Sequence, residues 1–202
     1  MAGEVAKTQY YTATSIDGFI ADPGNSLDWL FQVEQGPDVE SSTSTEDRFG
    51  SFFSGVGAMA MGAATYEWAL EHGDLQESGK WREYYGQTPC WVFTHRQLPL
   101  VPGANLVFAR GDVRDVHKQM MAAADGKNVW LAGGGDLAGQ FADQGLLDEI
   151  LLGVAPVMLG GGTPLLPRRL LASELTLASV EHDSRFVFLT YTLAAATSAR
   201  QP

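Results

Sequence analysis

The sequence predicts an α/β domain on a mixed, mostly parallel central sheet, with helices on both faces and an antiparallel hairpin at the C-terminal end. Three observations carry this prediction. Short apolar runs alternate with helix-patterned segments through most of the chain, the pattern of a sheet fed by crossover helices. One run, Val129-Trp130-Leu131-Ala132, ends in Gly133-Gly134-Gly135 and passes into a helical pattern, which reads as strand, tight turn and helix N-terminus. Two alternating runs, Leu175–His182 and Phe186–Leu193, flank Asp183-Ser184-Arg185 and read as a hairpin.

The elements follow in order. Residues 1–8 form a lead-in, 9–193 a single domain and 194–202 a small, polar tail. The β-rich stretch Tyr10–Ser15 is a first strand, and Phe19-Ile20-Ala21 resumes extended character after Asp17-Gly18. Asp22-Pro23-Gly24-Asn25 is a turn, and Ser26 caps a short helix through Phe31. Residues 35–45 are polar and form an exposed loop. Thr45 is placed to cap a helix over Glu46–Ser54, whose Phe49, Phe52 and Phe53 fall at helical spacing. Val56–Met61 is a buried strand and Ala63–Leu70 a helix. A loop with a short helix around Trp81–Tyr85 leads to strands at Cys90–Thr94 and Asn105–Ala109. The segment Val113–Ala124 is a helix, Asn128–Ala132 a strand, Leu137–Gln144 a helix and Leu147–Val154 a strand. A second glycine run, Gly160-Gly161-Gly162, follows before the terminal hairpin.

Charge and composition narrow the function. Twenty-four acidic against 13 basic side chains give a formal net charge of −11. Such a surface repels nucleic-acid backbones and anionic membranes, which leaves a small molecule as the expected ligand. No apolar run approaches the roughly 20 residues of a membrane span, and no secretory apolar segment opens the chain, so a cytoplasmic location is expected. The single cysteine, Cys90, sits in an apolar strand and reads as a small core residue. His72, His117 and His182 lie in unconnected contexts, so no metal site is expected. Met59, Met61 and Trp130 read as core residues. Ser15, Ser26 and Ser54 lack the strand–turn–helix setting of a hydrolase nucleophile.

The glycine turn at 133–135 lets a ligand approach the backbone, where the free N–H groups and dipole of a helix N-terminus favour a phosphate. Its glycine spacing does not meet the Rossmann dinucleotide fingerprint. Four segments together carry a resemblance: Thr14-Ser15-Ile16-Asp17-Gly18-Phe19-Ile20-Ala21, Met61-Gly62-Ala63-Ala64-Thr65-Tyr66-Glu67, Leu131–Ala138, and Pro156–Leu165 with its second glycine run. In this order and separation the chain resembles the dihydrofolate-reductase-like superfamily. Within it, the chain resembles most the reductase domain of bifunctional riboflavin-biosynthesis enzymes and its stand-alone relatives.

The resemblance implies a nicotinamide-dependent reductase, with NADPH as cofactor, and a homodimer. It places Gly133, Gly134, Gly135, Asp136 and Leu137 around the cofactor pyrophosphate, with Gly62 and Thr65 on the cofactor's other side. Thr94, His95 and Arg96 would lie near the adenosine ribose and its 2′-phosphate, and Trp29 beside the cofactor. Asp17-Gly18 would flank the nicotinamide, and Gly160, Gly161 and Gly162 would lie towards the substrate. Hydride transfer needs no side-chain nucleophile, but it does need a proton source; Asp17, Glu46 and Asp47 are the candidates. Glu46 and Asp47 equally suit a helix N-terminus as ordinary first-turn acids. Two departures stand out. Ala63 replaces an arginine common after the second motif's glycine, and Ala132 replaces the glutamate that commonly binds the aminouracil substrate. The substrate expectation therefore stays divided among the riboflavin-pathway aminouracil, dihydrofolate and another small metabolite. A nicotinamide-nucleotide-binding protein with little turnover is the reading from a different class.

Overall fold

The computed structural model describes residues 5–34, 45–72, 75, 77, 79–182 and 185–194; the side chains of 34 and 45–47 lie outside the description. The expected loop at 35–45 lies outside it except for Thr45, which begins a helix, and nearly all of the C-terminal tail also lies outside it.

Ten strands and six helices follow in the order β1 (Thr8–Thr14), β2 (Phe19–Ala21), α1 (Asp28–Glu34), α2 (Thr45–Ser54), β3 (Val56–Gly62), α3 (Ala63–His72), α4 (Lys80–Tyr85), β4 (Cys90–Phe93), β5 (Leu106–Ala109), α5 (Val113–Ala123), β6 (Asn128–Gly133), α6 (Gly135–Asp143), β7 (Glu149–Val154), β8 (Thr163–Pro164), β9 (Leu175–His182) and β10 (Val187–Leu193). Eight of the strands form one sheet in the order β5-β4-β3-β6-β1-β7-β10-β9. β5 through β7 run parallel, and β10 and β9 close one edge antiparallel. This is the mixed, mostly parallel sheet that the alternation predicts. β2 and β8 make a separate antiparallel pair that the sequence pattern does not announce, because β8 is only two residues long.

The inner strands read as continuous apolar runs because both faces of the sheet are covered. On one face, Tyr10, Ala58, Ala60, Val129 and Leu131 pack against Val116 and Met120 of α5 and Phe141 of α6. On the other, Met59, Met61 and Trp130 meet Tyr66 and Leu70 of α3 and Trp81 of α4, with Phe49, Phe52 and Phe53 of α2 packed alongside. Met59, Met61, Trp130 and Cys90 are buried in this second layer, as expected of core residues. The Cys90 thiol is pushed well above its ordinary pKa by complete burial, which makes it inert. A third cluster around Trp29, Ala155, Phe186 and Phe188 lies where the hairpin joins the body.

Local signals explain the element ends. The Ser26 hydroxyl accepts the Asp28 N–H at 3.0 Å, so it caps α1 as read. Asp112 caps α5 through the Arg114 N–H at 2.7 Å. α6 begins at Gly135, two residues before the helical pattern becomes visible, because glycines hide the start of the periodicity. A bulge in β9 pairs Thr190 with Ser179 but Tyr191 with Leu177, leaving Ala178 extra. It brings Leu177 and Val180, three residues apart, onto the same side as Leu189 and Tyr191.

Glycine is required at position 57, where a Cβ would run into the Ala124 carbonyl at the end of α5. It is not required at exposed position 50 in α2, where a Cβ meets open space. Gly57→Ala should lower unfolding stability by about 1–3 kcal/mol through overpacking. Gly50→Ala should raise it by up to about 1 kcal/mol through helix propensity and a less disordered unfolded chain. Denaturant midpoints that moved in the same direction for both variants would contradict this reading.

Candidate functional site

The neighbouring parallel strands β3 and β6 both end in glycine-led turns that start helices. Met61 of β3 pairs with Gly133 of β6, and a Cβ on Gly134 would lie 4.0 Å from the Gly62 N–H nitrogen. The N-termini of α3 and α6 therefore open side by side, with their unpaired N–H groups and positive dipole ends at one edge of the sheet.

Each glycine of the first run has its own reason. A Cβ on Gly133 would approach Thr65 Oγ1 to 2.7 Å and Cγ2 to 2.8 Å. Gly134 adopts φ 91°, which favours glycine, and gives α6 no side-chain cap. On Gly135 a Cβ would collide with the Pro164 and Leu165 carbonyls. The turn is thus held tightly from below, while its main-chain donors are not consumed by a capping side chain.

A cleft of about 130 Å³ adjoins this turn. Thr65, Gly133 and Gly134 line it, as the resemblance implies. Its wall also includes Thr12, Ile20, Ala64, Trp68, Ala132 and Thr163, and no described lining residue is ionisable. In a chain with a net charge of −11, this is a place an anion can enter without meeting a carboxylate.

The remaining expected residues lie elsewhere. Asp136 turns its carboxylate to Arg168 at 3.1 Å and Gln140 at 2.9 Å, so it offers the turn only its backbone. Arg168 also grips Asp143 at 2.6 Å. Leu137 is buried in the α6 core face. Thr94 is buried, and its hydroxyl accepts the Arg96 N–H at 2.9 Å. The exposed Arg96 guanidinium pairs with Glu67 of α3 at 2.6 Å, and His95 is exposed; neither lines the cleft. Trp29 is buried in the third cluster, away from the cleft wall. The cleft tryptophan is Trp68, stacked between Phe31 and His72 at centroid distances of 6.0 and 4.8 Å. Its signal in the sequence is its place three residues after Thr65, on the same helical face. Glu46 and Asp47 fall in the first turn of α2, with side chains outside the described residues. No cluster of described residues is suited to a metal ion.

Asp17 does not line the cleft. Its carboxylate accepts hydrogen bonds from the Ser15 hydroxyl at 2.6 Å, the Leu159 N–H at 3.1 Å and the Gly160 N–H at 2.7 Å. The Ser15 bond first, then the Leu159 and Gly160 bonds, bring its pKa down from 3.8 to about 2. Three donors hold it as the carboxylate. It ties the β1–β2 turn to the second glycine run. Gly160–Gly162 accordingly buttress β2, where a Cβ on Gly162 would strike the Ala21 carbonyl, and they do not line the cleft. A folded-state pKa below the unfolded value stabilises the protein above pH 3.8 and ceases to do so as pH falls to about 2. Wild type should therefore melt above Asp17→Asn near neutral pH, with the gap closing over that acid interval. A gap unchanged at the acid end would contradict the latch.

Comparisons with known proteins agree with this fold. The profile of the RibD C-terminal domain matches residues 6–189. The chain is 28% identical over 188 residues to the uncharacterized protein YwjB of Bacillus subtilis strain 168, covering 93% of this chain and 98% of that one. A solved protein of Shewanella sp. PV-4, assigned by name to riboflavin biosynthesis, superposes with a TM-score of 0.70 at 26% identity, covering 93% of this chain and 99% of that one. Dihydrofolate reductase of Enterococcus faecalis, solved with NADP(H), shares the fold at a TM-score of 0.56 and 13% identity, covering 93% of this chain and 96% of that one. The sheet and its helices are thus those of the dihydrofolate-reductase-like fold, and the chain belongs to the RibD C-terminal domain family.

Proposed function

We propose that this protein is an NADPH-dependent reductase of a small heterocyclic or sugar-phosphate substrate, with 5-amino-6-(5-phosphoribosylamino)uracil of riboflavin biosynthesis as the first candidate. The observation that supports it is the bare main-chain cradle at Gly133–Gly135, between two helix starts and beside a cleft without described ionisable side chains. Those residues fit a dinucleotide: the space at the turn is one that a capping side chain would fill. NADPH, when bound, supplies the hydride. The chain's own residues bind and orient. The N–H groups at the starts of α6 and α3 hold the diphosphate, and Ile20, Ala132 and Trp68 exclude water from the cleft. Asp17 fixes the β1–β2 turn, and Glu46 or Asp47 delivers the proton.

A second reading, a nicotinamide-nucleotide-binding protein with little turnover, is favoured by Ala132. Its methyl group stands on the cleft wall, where it can accept no hydrogen bond from a substrate. Dihydrofolate is the other substrate to be tested. The exposed Arg96–Glu67 pair costs little to open, because exposed pairs contribute roughly 0–1 kcal/mol. Arg96 is therefore available to a 2′-phosphate.

Calorimetry with NADPH and NADH tests the cofactor claim. Wild type should bind NADPH more tightly, Arg96→Gln should erase the preference by about tenfold or more, and Gly134→Ala should weaken both ligands. Absence of NADPH binding would overturn the proposal. With binding in hand, loss of reduced-nicotinamide absorbance on adding the aminouracil or dihydrofolate identifies an enzyme. No loss with either favours the second reading.

The proposal includes a homodimer. Leu177, Val180 and Val187 are 50%, 57% and 42% exposed on one side of the hairpin. Glu181 points to the other side, where it pairs with Arg48. A face with these exposed apolar residues is where a second copy of an acidic chain can approach away from Glu181. Light scattering should give a dimer mass for wild type and a monomer mass for the Leu177→Lys, Val180→Lys double variant. A monomeric wild type would contradict the assignment.

A further inference from the structure

A second cavity, of about 390 Å³, lies between α2 and the sheet face formed by β1, β7, β10 and β9. It shares no lining residue with the cleft at the glycine turn. Its volume falls in the range of about 300–1,000 Å³ typical of small-molecule sites. Tyr11, Phe52, Leu151 and Phe188 give it apolar, largely aromatic walls.

Two charged groups line the cavity, Arg48 and Glu181. The Arg48 guanidinium sits 4.1 Å over the Phe188 ring, which holds it flat by cation–π attraction. Glu181 accepts from Nη1 at 2.8 Å. Arg48 Nε is buried without a hydrogen-bond partner. A buried guanidinium N–H left unpaired is costly. Nε is closed to solvent, so a carboxylate or phosphate would meet the guanidinium on the side that lines the cavity. The hydroxyl-bearing residues Ser51, Ser179 and Thr190 line the same space and can share such an oxyanion's remaining lone pairs. Arg48 is also close enough to the Tyr11 phenol to oppose the rise in its pKa caused by burial, so the ring and the cation act within one site.

We propose that this cavity binds a small aromatic oxyanion, its carboxylate or phosphate on the Arg48 guanidinium and its ring among Tyr11, Phe52 and Phe188. The site stands independently of the reductase reading. Glu181, 57% exposed at its side chain, sits at the rim as a competitor for the same cation. Removing its charge should therefore strengthen binding, whereas removing Arg48 should weaken it, and general damage to the fold does not produce that pair of signs.

Calorimetric titration of the full chain with benzoate, phenyl phosphate and inorganic phosphate tests this. Benzoate or phenyl phosphate should bind, showing which oxyanion is preferred, and inorganic phosphate should bind about tenfold more weakly or worse for want of a ring. Arg48→Gln should lower the affinity for the preferred aromatic anion about tenfold or more. Glu181→Gln should raise it, with melting curves checking that both variants fold. The proposal is overturned if neither aromatic anion binds wild type at millimolar concentration. It is equally overturned if inorganic phosphate matches phenyl phosphate, if Arg48→Gln binds like wild type, or if Glu181→Gln fails to tighten binding.

Discussion

The end of β6 can pass between Thr65 and the carbonyls of Pro164 and Leu165 only because it carries no side chains there. That close approach governs the arrangement of the cleft. It seats α6 against the 164–165 segment, brings the start of α3 alongside, and leaves a strip of main chain facing the cleft. A methyl at 135 would strike the backbone of the 164–165 segment, and one at 133 would crowd the Thr65 side chain. The glycine at 134 instead answers a backbone requirement, since its left-handed φ is strained for other residues.

Electrostatics follow from the same constraint. In a strongly acidic chain, a phosphate-bearing ligand needs a surface where acids are absent or occupied. The described cleft wall has none, and the one acid at the start of α6, Asp136, is engaged by Arg168. Backbone N–H groups and two helix ends then offer positive potential without a cationic side chain in the wall. The cations near the sites are each engaged with acids: Arg96 with Glu67, Arg168 with Asp136 and Asp143, Arg48 with Glu181. These exposed or half-exposed pairs are weak enough to exchange partners.

Much of this was legible in the chain itself, for identifiable reasons. Two-sided burial made β3 and β6 continuous apolar runs, and the alternation in β9 and β10 marked a half-covered hairpin. The glycine runs announced turns, and the four motifs in order announced the family. Side-chain direction was not legible. Trp29 and Trp68 are both aromatic residues on helices near the motifs, and only packing decides that Trp68 reaches the cleft. The three donors around Asp17, two of them more than 140 residues away in sequence, are seen only in the fold. Arg168 and Arg48 belong to no motif, and their partners are likewise distant in sequence. The bulge at Ala178 has no glycine to mark it.

The central claim is that main-chain donors at the start of α6 receive a diphosphate. Backbone amide resonances read this directly in a titration with NADPH. The account predicts that the largest shifts fall on Gly134, Gly135, Asp136 and Leu137, with smaller ones at Ala64 and Thr65. Saturation that left those amides unmoved, or shifts centred on another part of the molecule, would contradict it.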